Sequence, residues 1–195
     1  MPRSDTASDR AAKVDAATLR RAQAGDPAAL RQVIDRHAPA VFGVLSRMLG
    51  RGDHAASVDD LAQETMLRVC TALPRFDPAG AASLSTWILT IATRLALQHR
   101  AKRRVHVVEI EPGALASPAA TPEAHLHAGT LRSRARAIVD DLSEELRAAF
   151  VLAEAHGFTP QEIAVALDVP AATVRTRLHR ARTRIRTALE GAEQP

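Results

Sequence analysis

Six arginines and no acid occupy the second half of the stretch TPQEIAVALDVPAATVRTRLHRARTRIR, residues 159–186. If that half forms a helix of about 100° per residue, its apolar side chains fall within one arc and would be buried. The arginines flank this arc on both sides, and small polar residues lie between them on the far face. Such a surface can neutralise phosphates along a DNA groove and reach base edges from its first turns. The predicted buried arc contains Val174, Leu178, Ala181, Ile185, Ala188 and Leu189, and the predicted exposed surface contains Arg175, Thr176, Arg177, His179, Arg180, Arg182, Thr183, Arg184, Arg186 and Thr187.

The residues ahead of this basic helix predict a helix-turn-helix. Thr159 and Glu162 have the spacing of a capping box, and Pro160 stands at the first helical position. The short helix that they start, residues 160–167, is broken by the sequence DVP before the basic helix begins. The alternative is a solvated amphipathic helix paired to nearby acids, because residues 140–168 hold seven acids against one arginine.

The composition favours a helical protein in a reducing compartment. Apolar residues make up 46% of the 195 residues but aromatic residues only 3%, so the core must consist of Leu, Val, Ile and Ala. Ala and Leu are strong helix formers, and the sequence predicts an all-α fold. The single cysteine excludes an internal disulfide. No apolar run approaches the ~18 residues of a membrane span, so the chain is expected in the cytoplasm without membrane insertion.

Two helical blocks are expected, separated by a linker. Residues 19–104 and 131–190 carry apolar residues at helical spacing, whereas residues 105–130 hold three prolines, two glycines and three acids without a basic residue. The polar residues 1–18 are expected to be disordered, and residues 191–195 form a tail. We therefore predict two small helical domains joined by a flexible linker, and a compact form in which one domain covers the other stays open.

Several segments, in order, resemble a known family. LSEELRAAFVLAEAHGFTPQEIAVALDVPAATVRTRLHRARTRIRTAL resembles region four of the extracytoplasmic-function (ECF) sigma factors of bacterial RNA polymerase. DDLAQETMLRVCTALPRFDP, followed by LSTWILTIATRLALQHRAKRR, resembles their region two. The resemblance implies a σ2 bundle and a σ4 helix-turn-helix. It also implies an alternative sigma factor that binds core polymerase, selects promoters and helps to melt the minus-ten region. An anti-sigma factor is an expected partner on the same ground.

One face of the second predicted helix is a candidate polymerase contact. An exposed leucine surrounded by acid and amide side chains suits a protein-binding patch, and the resemblance implies that the polymerase binds there. An ordinary polar face with one stray leucine is the alternative. The face consists of Asp60 and the residues three, four and seven positions after it: Gln63, Glu64 and Leu67. The opposite face, expected in the core, consists of Ala62, Met66, Val69, Cys70 and Leu73.

By resemblance, the third helix and the loop before it bind the minus-ten element. An extruded base needs a pocket with a stacking or apolar wall, for which Phe76 and Leu84 are candidates. The family usually has Asn and Asp where Arg94 and Gln98 stand, so the promoter preference of this chain is expected to differ. Alternatively, the basic residues at the end of the helix only complement the helix dipole and do not bind DNA. The candidate stripe is Trp87, Arg94, Gln98, Lys102, Arg103 and Arg104.

For the minus-thirty-five element, the resemblance places base contacts in the first turns of the basic helix. The base-reading candidates are Arg175, Thr176, His179 and Arg180, and the further arginines that would bind the backbone are Arg177, Arg182 and Arg184.

No enzymatic site is expected. The sequence has no nucleophile–base set, phosphate loop or four-ligand metal set, and a histidine pair, His125 and His127, lacks cysteine partners nearby. No cofactor is predicted. Two other functions fit parts of the pattern. One is a helix-turn-helix regulator that acts without polymerase, and the other is a sigma mimic that titrates an anti-sigma factor.

Overall fold

The computed structural model describes residues 14–49, 55–110 and 131–191, with the side chains of residues 14–49, 57–102 and 136–190. Every regular element in these ranges is helical, which confirms the predicted all-α fold. The N-terminal unit contains α1 Ala16–Gln23, α2 Pro27–Leu49, α3 Ala55–Ala72, a 3-10 turn Leu73–Arg75 and α4 Leu84–Ile110. The C-terminal unit contains α5 Leu131–Asp140, α6 Glu144–Phe150, a π-helical turn Val151–Ala155, α7 Pro160–Leu167 and α8 Ala171–Gly191.

Side-chain caps start α2 and α7. Asp26 Oδ1 accepts the N–H groups of Ala28 and Ala29 at 2.8 and 3.2 Å, ahead of the first-turn proline of α2. At α7, the Glu162 N–H donates to Thr159 Oγ1 at 3.2 Å, and the Thr159 N–H donates to Glu162 Oε2 at 2.7 Å. This reciprocal pair is the predicted capping box.

Two helix boundaries differ from the prediction. Helix α4 continues to Ile110, through the run VHVVEI that was expected to open the linker. The first helix-breaking residue after that run is Pro112, so nothing earlier interrupts the backbone hydrogen bonds. Helix α1 begins at Ala16, within the start that was expected to be disordered. Residues 111–130 of the predicted linker lie outside the described residues.

One continuous apolar core spans both units. It includes Leu45 and Met48 of α2 and Ile88 of α4, together with Leu152 and Ile163 of the C-terminal unit, all at most 2% exposed. Burying such side chains contributes roughly 1.5–3 kcal/mol each. A smaller cluster inside the C-terminal unit holds Leu142, Leu146 and Ala181. The units are therefore packed against each other, as in the compact alternative.

Polar contacts between α4 and α7 fix their relative direction. The Thr86 hydroxyl donates to Glu162 Oε1 at 3.2 Å near the start of both helices. Further along, Arg94 donates from Nη2 to the Val165 carbonyl at 2.7 Å and from Nε to the Ala166 carbonyl at 3.4 Å. The two helices thus run beside each other in the same direction.

A second polar contact joins α2, α4 and α6. Arg100 Nη1 donates to the carbonyls of Met48 and Leu49, the last residues of α2, at 2.8 and 2.9 Å. Its Nε lies 3.1 Å from Glu144 Oε1, and the two side chains are only 22% and 12% exposed. Arg100 therefore binds the end of one helix of its own unit and an acid of the other unit.

Candidate nucleic-acid interface

The turn between α7 and α8 depends on one left-handed residue. Asp168 has a φ of 53°, and its N–H and that of Val169 both donate to the Ala164 carbonyl. Asp adopts this conformation more readily than most residues other than glycine. The turn places α8 across α7, which is the helix-turn-helix arrangement predicted from the sequence.

The buried face of α8 is shorter than predicted. Val174 and Ala181 are fully buried, Leu178 is buried, and Ile185 is half-buried against the smaller cluster. The prediction is wrong for Ala188 and Leu189, which are exposed. The cluster that covers this face extends only to Ile185, and the last turns of α8 project beyond it.

Two of the predicted DNA-binding arginines are paired with acids. Arg177 lies 3.4 Å from Glu145 of α6, and its side chain is only 20% exposed. Arg182 binds Glu154 of the π-helical turn at 2.7 Å. The alternative of arginines paired to nearby acids is thus correct for these two residues, which lie at opposite edges of the buried face of α8. Because exposed ion pairs contribute at most ~1 kcal/mol, the Arg182 pair could exchange for a phosphate.

The face of α8 opposite its buried residues carries a basic surface directed at solvent. Arg175, Arg180 and Arg184 are exposed, and none forms an ion pair with a residue that the structure describes. Thr176 and His179 are exposed between them. These five side chains share an accessible stripe that starts in the first turn of the helix, where base contacts of a helix-turn-helix are made.

An aromatic pair joins the loop before α4 to the first turn of that helix. The rings of Phe76 and Trp87 lie 5.1 Å apart at 39° to each other, which is a favourable tilted geometry. Gln23 Nε2 donates to the Phe76 carbonyl at 2.7 Å and fixes the start of this loop. Leu84, half-buried, packs against the same core. Of the two candidates for an apolar wall, Phe76 thus pairs with Trp87, and Leu84 is the first residue of α4.

The residues of the predicted basic stripe on α4 have different surroundings. Gln98 and Lys102 are exposed to solvent, as predicted. The Arg94 guanidinium is instead bound to two carbonyls of α7, a contact that the sequence analysis did not foresee. The side chains of Arg103 and Arg104 lie outside the described part of the structure, although α4 continues through them.

Helix α3 presents the predicted protein-binding face. Asp60, Gln63 and Glu64 are exposed, and Leu67 is 69% exposed, more than the other exposed large apolar side chains. Glu64 pairs with Arg68 at 2.6 Å. On the opposite face Ala62, Val69 and Leu73 are buried, whereas Met66 and Cys70 are half-buried. The predicted core face is therefore correct for Ala62, Val69 and Leu73 and only in part for Met66 and Cys70.

His156 is half-buried and His37 is buried. Burial, with a smaller contribution from Arg47, lowers the pKa of His156 to about 4. Burial also lowers the pKa of His37, whose Nδ1 lies 2.8 Å from the Val33 carbonyl. For Cys70, burial raises the pKa of the thiol, which favours the unreactive protonated form.

Neither a metal cluster nor a membrane span is found in the described ranges. No group of three or more His, Cys, Asp or Glu side chains there could hold a metal ion. None of the described helices is both long and apolar enough to cross a membrane. His125 and His127 lie outside the described residues.

Two family models match the two units. The model for Sigma-70 region 2 matches residues 33–105, and that for Sigma-70, region 4 matches residues 132–185. The ECF RNA polymerase sigma factor SigE of Mycolicibacterium smegmatis is 30% identical over 171 residues, which cover 85% of this chain and 64% of that protein. The ECF RNA polymerase sigma-E factor of Escherichia coli is 29% identical over 181 residues, which cover 88% and 92%.

Solved structures share the fold. The sigma factor RpoE of Bartonella quintana, in complex with the anti-sigma factor NepR, matches with a TM-score of 0.65 at 22% identity. That match covers 82% of this chain and 96% of the other. CnrH, in complex with the cytosolic domain of CnrY, matches with a TM-score of 0.61 at 22% identity and covers 91% and 97%. At these identities the likeness concerns the two-unit helical fold.

Proposed function

Because this chain belongs to the extracytoplasmic-function sigma factors, we propose that it binds bacterial core RNA polymerase and directs it to specific promoters. It also helps to open the DNA at the minus-ten element. The sigma factor supplies binding surfaces and performs no bond chemistry, so the chain acts in the cytoplasm without a cofactor of its own.

The combination of surfaces on one chain carries the proposal. A helix-turn-helix regulator needs only α7 and α8. This chain adds, in the order of the family, a basic stripe on α4 and an apolar residue ringed by acid and amide groups on α3. The exposed Leu67 gives a polymerase an apolar contact that a protein acting on DNA alone would not need.

The exposed side of α8 is proposed to read the minus-thirty-five element. Arg175, Thr176, His179 and Arg180 start in the first turns and would reach base edges in the major groove. Arg184, at one edge of this exposed face, would bind phosphate. Because Arg177 and Arg182 are paired with acids, we assign them a minor part in DNA binding.

The start of α4 is proposed to hold the melted minus-ten strand. Phe76, Leu84 and Trp87 provide an apolar and stacking wall, and stacking on an aromatic ring contributes ~1–3 kcal/mol per base. Gln98, Lys102, Arg103 and Arg104 continue along the helix toward the backbone of the adjacent duplex. Arg94 joins this stripe only when it leaves α7.

Two protein partners follow. Core polymerase would bind the face of α3 that consists of Asp60, Gln63, Glu64 and Leu67. An anti-sigma factor is proposed as a regulator, because two structural relatives of this fold are complexes with such a protein or with the cytosolic domain of a partner.

Run-off transcription tests the function. The purified chain is mixed with bacterial core polymerase and promoter fragments from its own genome, including the fragment upstream of its own gene. Specific transcripts are expected, and their start sites identify both promoter elements. Binding to core without transcripts would support the mimic, and specific DNA binding without core binding would support the ordinary regulator.

A matched pair of variants tests the assignment of α8. Arg180→Ala removes an exposed arginine, whereas Arg177→Ala removes one already paired with Glu145. Arg180→Ala should weaken minus-thirty-five discrimination by ~1–3 kcal/mol, because a bidentate base contact is lost. Arg177→Ala should change it little. Equal discrimination by both variants would show that α8 presents a different side to the DNA.

A further inference from the structure

We propose that Arg94 is an interdomain latch, by which we mean a side chain that holds the C-terminal unit on α4 until promoter DNA competes for it. The inference rests on the proposed function, since the competing ligand is the promoter.

The contact completes the C-terminal end of α7. The last four carbonyls of any α-helix lack partners within the helix and carry partial negative charge. In α7 the Ala164 carbonyl is bound by the N–H groups of the turn, whereas those of Val165 and Ala166 accept from Arg94 at 2.7 and 3.4 Å. A cation of the N-terminal unit therefore caps a helix of the C-terminal unit. This is a specific pairing of a fork-shaped donor with two adjacent acceptors.

Arg94 lies between two stripes of α4. At about 100° per residue, one neighbouring stripe contains Thr86 and Thr90 and faces α7 through the Thr86–Glu162 bond. The other contains Trp87, Gln98 and Lys102, the surface proposed for the minus-ten element. A guanidinium at this boundary can bind α7 or DNA, but its donors cannot serve both at once.

Arg94 binds a DNA phosphate more strongly than it binds the carbonyls of α7, and this difference would release α7 when DNA is present. Peptide carbonyls are neutral acceptors, whereas a phosphate oxygen is charged and forms a stronger, charge-assisted bond with an arginine. Promoter DNA held by polymerase would therefore draw Arg94 away from α7 and favour the separated form. A ligand that binds one of two states better shifts the population toward that state.

Single-molecule energy transfer on the full chain tests the latch. One dye is attached at Asp35→Cys and the other at Glu190→Cys, both exposed positions on different units, in a Cys70→Ala background. Run-off transcription with the labelled chain shows that the labels leave the function intact. Arg94→Ala is compared with Lys102→Ala, which removes a cation from the exposed stripe of the same helix without a contact to α7.

Arg94→Ala is expected to lower the ratio of docked to separated molecules about tenfold, which corresponds to about 1.4 kcal/mol. Lys102→Ala should leave the ratio unchanged. Arg94→Lys keeps the charge but loses the fork, so it should lower the ratio by a smaller factor, and it serves as the test if Arg94→Ala does not fold. Core polymerase with a promoter fragment should move the parent chain to the separated form.

Equal ratios for Arg94→Ala and the parent chain would overturn the latch. Loss of transcription in Arg94→Ala at an unchanged ratio would do the same, because Arg94 would then be a DNA contact alone. Absence of transcripts from the parent chain would contradict the proposed function, whereas the energy-transfer ratios of the free chain would still decide whether Arg94 holds the units together.

Discussion

Replacing Arg100 by alanine should destabilise both helical units at once. Its guanidinium binds the last two carbonyls of α2 at 2.8 and 2.9 Å and Glu144 of α6 at 3.1 Å. The substitution leaves two carbonyls at a helix end and a carboxylate that is only 12% exposed without this cation. The end of α2, residues Met48 and Leu49, is itself buried in the shared core.

The magnitude follows from these contacts. A hydrogen bond to a charged group contributes roughly 1.5–3 kcal/mol, and water that enters the space of the missing side chain recovers part of it. Removing one partner of a buried ion pair costs ~3–5 kcal/mol, and less where solvent still reaches the pair. We therefore expect Arg100→Ala to lower the free energy of unfolding by about 3 kcal/mol. Glu144→Gln, which leaves both carbonyl bonds intact, should lower it by about 1 kcal/mol.

Urea unfolding with two signals measures the effect. Trp87 is the single tryptophan of the chain, so its fluorescence reports the N-terminal unit, whereas far-UV circular dichroism reports both units. The two transitions should coincide in the parent chain because one core spans both units. A loss below about 1 kcal/mol in Arg100→Ala, or a value equal to that of Glu144→Gln, would refute the stabilising role of the two carbonyl bonds.

Three further predictions test other parts of the structure. Leu67→Ala should weaken binding to core polymerase without changing the urea midpoint, whereas Leu189→Ala, another exposed leucine, should leave that affinity unchanged; pull-down titration decides. The unfolded chain takes up the His156 proton near pH 6.5 and the folded protein only near 4, so stability should fall by about 2 kcal/mol between pH 7 and pH 5. His156→Gln should reduce this fall in urea titrations, and an unchanged pH dependence would contradict the assignment. Thr159→Ala should lower stability by about 1 kcal/mol through loss of the capping box, and a loss no larger than that of the exposed Thr183→Ala would argue against it.

Much of the fold could be predicted because its signals are local. A cap such as Thr159 with Glu162 acts within one turn, and the periodicity of α3 assigns its two faces from adjacent residues. The course of α4 beyond Arg104 differs from the prediction because the prolines and glycines of residues 105–130 indicated a linker over the whole segment, although the first of them is Pro112. Ala188 and Leu189 have the correct spacing for burial, but spacing cannot tell how far the covering helices extend.

The candidate site likewise has local features that the sequence predicts and tertiary contacts that it does not. The exposure of Arg175, Arg180 and Leu67 follows from helical position alone. The pairing of Arg177 with Glu145 depends on how α6 packs against α8, which is a tertiary fact. For Arg94 the sequence did contain a signal, the departure from the family's asparagine, but only the docked units identify the two carbonyls that it binds.

The shared core also limits the distance along DNA that the docked protein can span. The names of the two promoter elements place them about 25 base pairs apart, which is roughly 85 Å along the duplex at 3.4 Å per base pair. A compact body of the size of the described ranges, residues 14–49, 55–110 and 131–191, has a radius of gyration of ~15 Å and is roughly 40 Å across. The docked form is too short to occupy both elements, so the free energy that holds the core together opposes promoter binding. A DNA segment with only one element provides less binding free energy to offset the cost of separating the two units. We therefore expect the docked core to increase the preference for promoters that contain both elements.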